Sequence, residues 1–233
     1  MPRPPLRSEH VAEFRARLVA AALRLFAGQG YEAVSLRRLG QALGCSAAAP
    51  YRYFAGKRGI FSAVRAAGFD RLADAQERLL DNEIGAEEQL RRLARGYIEF
   101  ARREPHAFRV MFELEGPNAK TTEEERAAER RAFEVLQGAA RRAVEEGVLW
   151  GDPAAQAHVL WASIHGIASL HLSGKLLLGV SASALVDSTM GALLAGAKPK
   201  REAAGRPPRQ RERKQPRRAP EEGEPRGAEW RVW

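Results

Sequence analysis

Between His10 and Phe54 the sequence is punctuated so closely that only short helices fit between the breaks. Val11, Phe14, Leu18, Ala22, Leu25 and Phe26 recur at three- and four-residue spacings, which places them on one helix face. Gly28-Gln29-Gly30 is predicted to stop that helix, because glycine readily takes the left-handed cap conformation. Ser35 offers a side-chain oxygen to the next helix start, and Leu36, Leu39 and Leu43 form its buried stripe. Gly44-Cys45-Ser46 is a tight turn, with Ser46 a second candidate N-cap for a short helix reaching Phe54. Two short helices around a glycine turn make a helix-turn-helix, whose second helix enters the major groove of DNA while the first crosses the backbone. Pro50 conflicts with this locally, since a proline inside a helix removes a hydrogen bond; near the first turn the cost is small.

The rest of the chain reads as helix throughout. Ala55-Gly56-Lys57 breaks the short helix, and a long one is predicted over 58–80. Further helices are predicted near 86–102, 105–114, 122–146, 154–173 and 181–196, separated by glycine- and proline-containing breaks. No stretch alternates with period two for long enough to make a strand, so the predicted class is all-α. From Lys198 onward the segment is rich in Pro, Arg and Glu and nearly lacks aliphatics; too little apolar surface is available to offset the entropy of ordering it.

Charge is divided unevenly. Residues 1–60 carry a net +7, residues 61–197 a net −4 and residues 198–233 a net +6. A basic head, an acidic middle and a basic tail assign polyanion contact to the ends. The single cysteine, Cys45, excludes an internal disulfide and a multi-cysteine zinc cluster. No signal peptide is predicted at the N-terminus and no run of about 18 apolar residues suggests a membrane span, so a cytoplasmic, nucleoid-associated protein is expected. Gly28-Gln29-Gly30 follows a helix rather than a strand and is no dinucleotide fingerprint; with no nucleophile–base motif either, no enzyme and no cofactor are expected. His158, His165 and His171 lie seven and six apart and share no compact face, so no metal site is expected. A basic RNA-binding protein acting through its Arg-rich tail is the remaining alternative.

The run FAGQGYEAVSLRRLGQALGCSAAAPYRYFAGKRGIF resembles the DNA-binding domain of the tetracycline-repressor (TetR) family of regulators. The resemblance rests on Phe26, Gly30-Tyr31, Ser35, the Leu39-Gly40-Leu43-Gly44 pattern, Ser46, Tyr51-Arg52-Tyr53-Phe54 and Lys57, and covers about residues 10–60. It implies a duplex-DNA partner, a pseudo-palindromic operator read by a homodimer. Tyr51 and Tyr53 can flank the groove with hydroxyls toward phosphate, although Tyr51 can also simply pack. Lys57 and Ser35, each at a helix start, suit phosphate. Such contacts position the protein without reading sequence. Base reading falls to Arg37, whose fork matches guanine, and then to Arg52 and the methyls of Ala47, Ala48 and Ala49 as partners for thymine.

EPHAFRVMFELEG and LWASIHGIASLHLSG resemble the effector domain of a TetR subgroup marked by Trp161, His165 and Gly166. Trp161 and His165 share a helix face, either as core residues or lining a ligand cavity with Tyr97, Phe100, Phe108, Met111 and Phe112. The expected effector is small and mostly apolar. Surplus aliphatics on the last two helices (Leu170, Leu172, Leu176 to Leu178, Leu185, Val186, Met190, Leu193 and Leu194) point to a dimer interface. The expected organisation is a flexible arm (1–9), a helix-turn-helix domain (10–57), a ligand-binding and dimerisation domain (58–197) and a disordered basic tail (198–233).

Overall fold

The computed structural model describes residues 8–46, 48–114, 116, 121–177 and 179–196. The expectations for the arm up to residue 7, for Ala47, for Leu178 and for the tail lie outside the described residues. Among those that are described, every regular element is a helix. Helix α1 (Ser8–Ala33) starts two residues ahead of His10 and is broken where the glycines predicted a stop. It kinks at Gly30, where φ is 80° and ψ 168°, and a last turn continues to Ala33. α2 (Leu36–Ala42) follows, capped by the Ser35 side chain, which accepts from the Arg38 N–H at 3.2 Å. Gly40 is required by packing: a Cβ there would lie 3.0 Å from the Ser46 carbonyl oxygen.

Helix α3 (Gly56–Glu77) belongs to two cores at once. Its first turns place Ile60, Phe61 and Val64 among Leu18, Phe26, Tyr31 and Leu39 in an aromatic-rich head core. There Phe61 meets Phe26 edge-on at 5.1 Å and Tyr31 at 4.9 Å. Its later turns place Phe69, Leu72 and Ala73 in a second, larger core with α4 (Ala86–Arg103), α6 (Glu123–Glu145), α7 (Pro153–Leu172) and α8 (Ala182–Gly196). Side chains from elsewhere tie off the helix ends. Gly85 cannot cap α4, so the Glu146 carboxylate accepts from the Ala86 N–H at 2.9 Å. That bond, with Arg142 beside it, holds the Glu146 carboxyl below the usual carboxylate range. Gln89 joins α3 to α4, accepting from the Asp81 N–H and donating to the Leu79 carbonyl.

The helix predicted over 105–114 is α5 (Pro105–Phe108) followed by a wider π turn, Arg109–Glu113. Its consecutive side chains face different ways. Val110 is buried in the head core and Met111 in the larger core, where it presses on α3 at Gly68. Arg65 of α3 binds this turn, donating to the Met111 carbonyl at 2.9 Å, and its guanidinium also lies 3.0 Å from the Glu125 carboxylate of α6. Glu125 is only 3% exposed, and its other carboxylate oxygen accepts a hydrogen bond from the Ser62 hydroxyl at 2.7 Å.

The predicted aliphatic surplus on α7 and α8 is smaller than expected. Val186, Met190 and Leu194 follow four-residue spacing and form the buried face of α8. Leu172, Leu176, Leu185 and Leu193 are half-buried against the same core. Val159, Leu170, Leu177 and Val180 remain exposed.

Candidate nucleic-acid interface and ligand cavity

The head presents its polar residues outward around α2 and the turn that follows. Arg37, Arg38, Ser46, Ala48 and Arg52 are exposed, and Tyr51 is 64% exposed. The short helix expected from Ser46 to Phe54 is instead a turn, closed by Ala49 N–H to Ser46 O at 3.0 Å, followed by one 3₁₀ turn over Pro50–Arg52. Pro50 has no N–H with which to continue a helix from Ser46, and it sits at the first position of the turn, where none is needed. Ser46 accordingly is no N-cap; Ala49 takes that position without a side-chain bond.

Tyr51 and Tyr53 are not equivalent. The Tyr53 ring is half-buried and stacked on Phe14 at 4.3 Å, which leaves Tyr51 as the outward aromatic. Lys57 reaches back to the α1 kink. Its ammonium donates to the carbonyls of Tyr31 at 3.1 Å and Glu32 at 3.3 Å and lies over the Tyr31 ring. Arg15, which sequence reasoning passed over, donates to the Tyr53 carbonyl at 2.7 Å and lies 4.2 Å over the Phe54 ring. It fixes the presented turn from behind, and its only signal in the sequence was a cation close to the apolar stripe of α1.

The larger core is not filled. A cavity of about 380 Å³ lies among α3, α4, α6, α7 and α8. Tyr97, Phe112 and Trp161 line it as expected, joined by Phe69, Leu72, Gln76, Leu93, Phe133 and Met190. Phe100, Phe108 and Met111 are buried but do not line it, and neither does His165. These four lie behind the wall, with His165 stacked on Phe108 at 5.3 Å. The mouth is polar: Arg126, Glu129, Arg130 and His158 line it and are exposed, and each arginine pairs with Glu123 at 2.9 Å.

A closed hydrogen-bond chain runs along the wall. Trp161 Nε1 donates to the Tyr97 hydroxyl at 3.4 Å, the hydroxyl lies 2.9 Å from His165 Nδ1, and His165 Nε2 lies 3.4 Å from the Ser169 hydroxyl. An oxygen that accepts from Trp161 directs its own proton to Nδ1, which leaves the single ring proton on Nε2, toward the Ser169 hydroxyl. Burial pushes the Tyr97 phenol far above its ordinary range. Burial also lowers His165, against the opposing pull of Glu113, so the network is neutral. Gln76 differs: it is 5% exposed, lines the cavity from α3, and its carbonyl oxygen has no partner.

A helix-turn-helix head with outward arginines, joined through one continuous helix to a bundle that encloses an apolar cavity, defines a DNA-binding regulator with a hollow second half. The model of the bacterial regulatory proteins of the tetR family matches residues 18–64, and that of the tetracyclin repressor-like C-terminal domain matches residues 90–193, together about two thirds of the chain. The chain belongs to the TetR family of transcription regulators. It is similar, at 33% identity over 75 residues (32% of this chain), to the HTH-type transcriptional repressor Rv1474c of Mycobacterium tuberculosis, and the match spans 40% of that repressor's length. A Rhodococcus sp. RHA1 protein of unknown function superposes with a TM-score of 0.70 at 25% identity, over 84% of this chain and 100% of the other. The TetR family regulator PfmR of Thermus thermophilus gives 0.60 at 25% identity, over 78% and 100%. No helix among the described residues is long and apolar enough to cross a membrane.

Proposed function

We propose that this regulator is a repressor that binds a pseudo-palindromic operator as a homodimer and leaves it when a small, mostly apolar effector fills the cavity. The observation that carries the reading is α3, one helix with its first turns in the DNA-binding head and Gln76, near its end, in the cavity wall. A ligand that shifts α3 changes the spacing of the two heads of a dimer, and operator half-sites tolerate only separations near 34 Å or its multiples. The exposed Val159 and Leu170 of α7, with Gly166 between them, supply a weakly polar face for the second copy. The Trp161–Tyr97–His165 chain supports placement in the subgroup marked by Trp161, His165 and Gly166, with Trp161 in the wall and His165 orienting Tyr97 from behind. In the head, Arg37 reads bases, with Arg52 and the alanine methyls as further contacts. Ser35, Ser46, Tyr51, Tyr53 and Lys57 position the head, Tyr53 and Lys57 largely from within. The protein acts in the cytoplasm, and the basic tail adds only sequence-independent affinity.

The test starts by sequencing genomic fragments captured on the protein. On the operator so found, Arg37→Ala is expected to cost about 1–3 kcal/mol and to relax the preferred base. Equal losses on operator and random DNA would remove Arg37 from base reading, and absence of any enriched fragment would refute the repressor reading.

A further inference from the structure

We propose that the effector carries, besides its apolar body, one uncharged hydrogen-bonding group such as a hydroxyl, and that Gln76 binds it in the buried part of the cavity. The inference rests on reading the cavity as the effector site. Every other polar group of the buried wall is committed elsewhere: Trp161 Nε1 donates to Tyr97, and the Tyr97 hydroxyl is bonded to His165. Charged side chains lie only at the exposed mouth. Gln76 alone is buried among Phe69, Leu72 and Leu90 with a carbonyl oxygen that bonds nothing. An unsatisfied buried carbonyl is unfavourable in an empty protein, and a turn of the Gln76 amide toward the cavity lets a ligand complete it. A primary amide both donates and accepts, and a hydroxyl answers both. A carboxylate or ammonium in the same place would meet no opposite charge while losing its water, so ions are excluded from the buried end.

Naphthol and naphthalene, nearly equal in shape and differing by one hydroxyl, are suitable probes for the full chain. Their affinities are read by competition against an environment-sensitive dye and by the rise in Tm at saturating probe. The wild type is expected to bind naphthol about tenfold more tightly than naphthalene, the discrimination one buried hydrogen bond supplies. Gln76→Leu is expected to abolish that preference while leaving naphthalene binding intact, and Gln76→Met to do the same with less change in shape. Because each variant replaces an unsatisfied amide with an apolar group, neither is expected to lower the Tm of the free protein. Equal binding of both probes by the wild type overturns the proposal. So does a naphthol preference that survives in both variants, which would move the anchor to Tyr97. Failure of both probes to bind any of the proteins refutes the effector site itself, and the anchor with it.

Discussion

The head and the cavity-bearing half are built from the same kind of helix but use their interiors in opposite ways. The head packs Phe61 edge-on against Phe26 and Tyr31, which stack on each other, and presents its polar side chains outward on a filled core. The larger half packs alanines and leucines around a hollow and turns Tyr97, Phe112 and Trp161 toward it. On the proposed function, a reading surface needs a filled core so that Arg37 and Tyr51 are held at fixed positions. On the same reading, a sensing half needs an unfilled one, so that a ligand supplies the missing contacts.

Substitution of the central aromatics is the strongest challenge to this contrast. Phe26→Ala is expected to cost about 3–5 kcal/mol, a large part of a typical domain's net stability, and to abolish DNA binding at physiological temperature. Phe133→Ala, in the half-buried cavity wall, is expected to cost well under half as much by denaturant titration. Comparable losses would mean that the cavity wall is as tightly determined as the head.

Adding volume sharpens the comparison. Ala22 is fully buried in the head and Ala94 lines the cavity. Ala22→Leu is expected to lose about 1–3 kcal/mol through overpacking. Ala94→Leu grows into open space and is expected to change stability by less than about 1 kcal/mol while weakening naphthalene binding. A large loss at Ala94 would show that the hollow closes in solution.

The smallest effect concerns pH. Burial lowers the His165 pKa below its ordinary value near 6.5. Below that value the unfolded chain takes up a proton before the folded one does. Stability contributed by neutral His165 is therefore complete above about 6.5 and declines as pH falls from there toward the depressed folded value. His165→Gln removes this proton uptake, so its Tm is expected to fall less than that of the wild type over the same window. Parallel Tm–pH curves would mean that His165 is solvated.

The two halves were also unequally legible from sequence. The head's elements are set by neighbours a few residues away: Ser35 caps α2, and Gly44 turns with φ at +66°. Local spacing locates such features, including the break at Gly30, and it failed where one residue changed the hydrogen-bond pattern, at Pro50. The cavity is assembled from five helices, so periodicity could place Tyr97 and Trp161 on inward faces without saying which inward residues meet the hollow. Phe108 and His165 face inward too, yet lie one layer behind it. Gln76 carried no signal, because a glutamine in a helix ordinarily faces water and only its neighbours show that this one does not.

The π turn at Arg109–Glu113 bears on how such a chain can change over evolutionary time. Val110 fills the head core, Met111 presses on Gly68, and Phe112 lines the cavity. Inserting or deleting one residue here rotates the remaining side chains of the turn, up to Glu113, by about 100°. Val110, Met111 and Phe112 would then exchange environments, and the head and the cavity would be spoiled together. Cavity walls on α4, α6 and α7 can drift one substitution at a time toward new ligands, but the length of this segment cannot. Among descendants with different effectors, its spacing should outlast its composition.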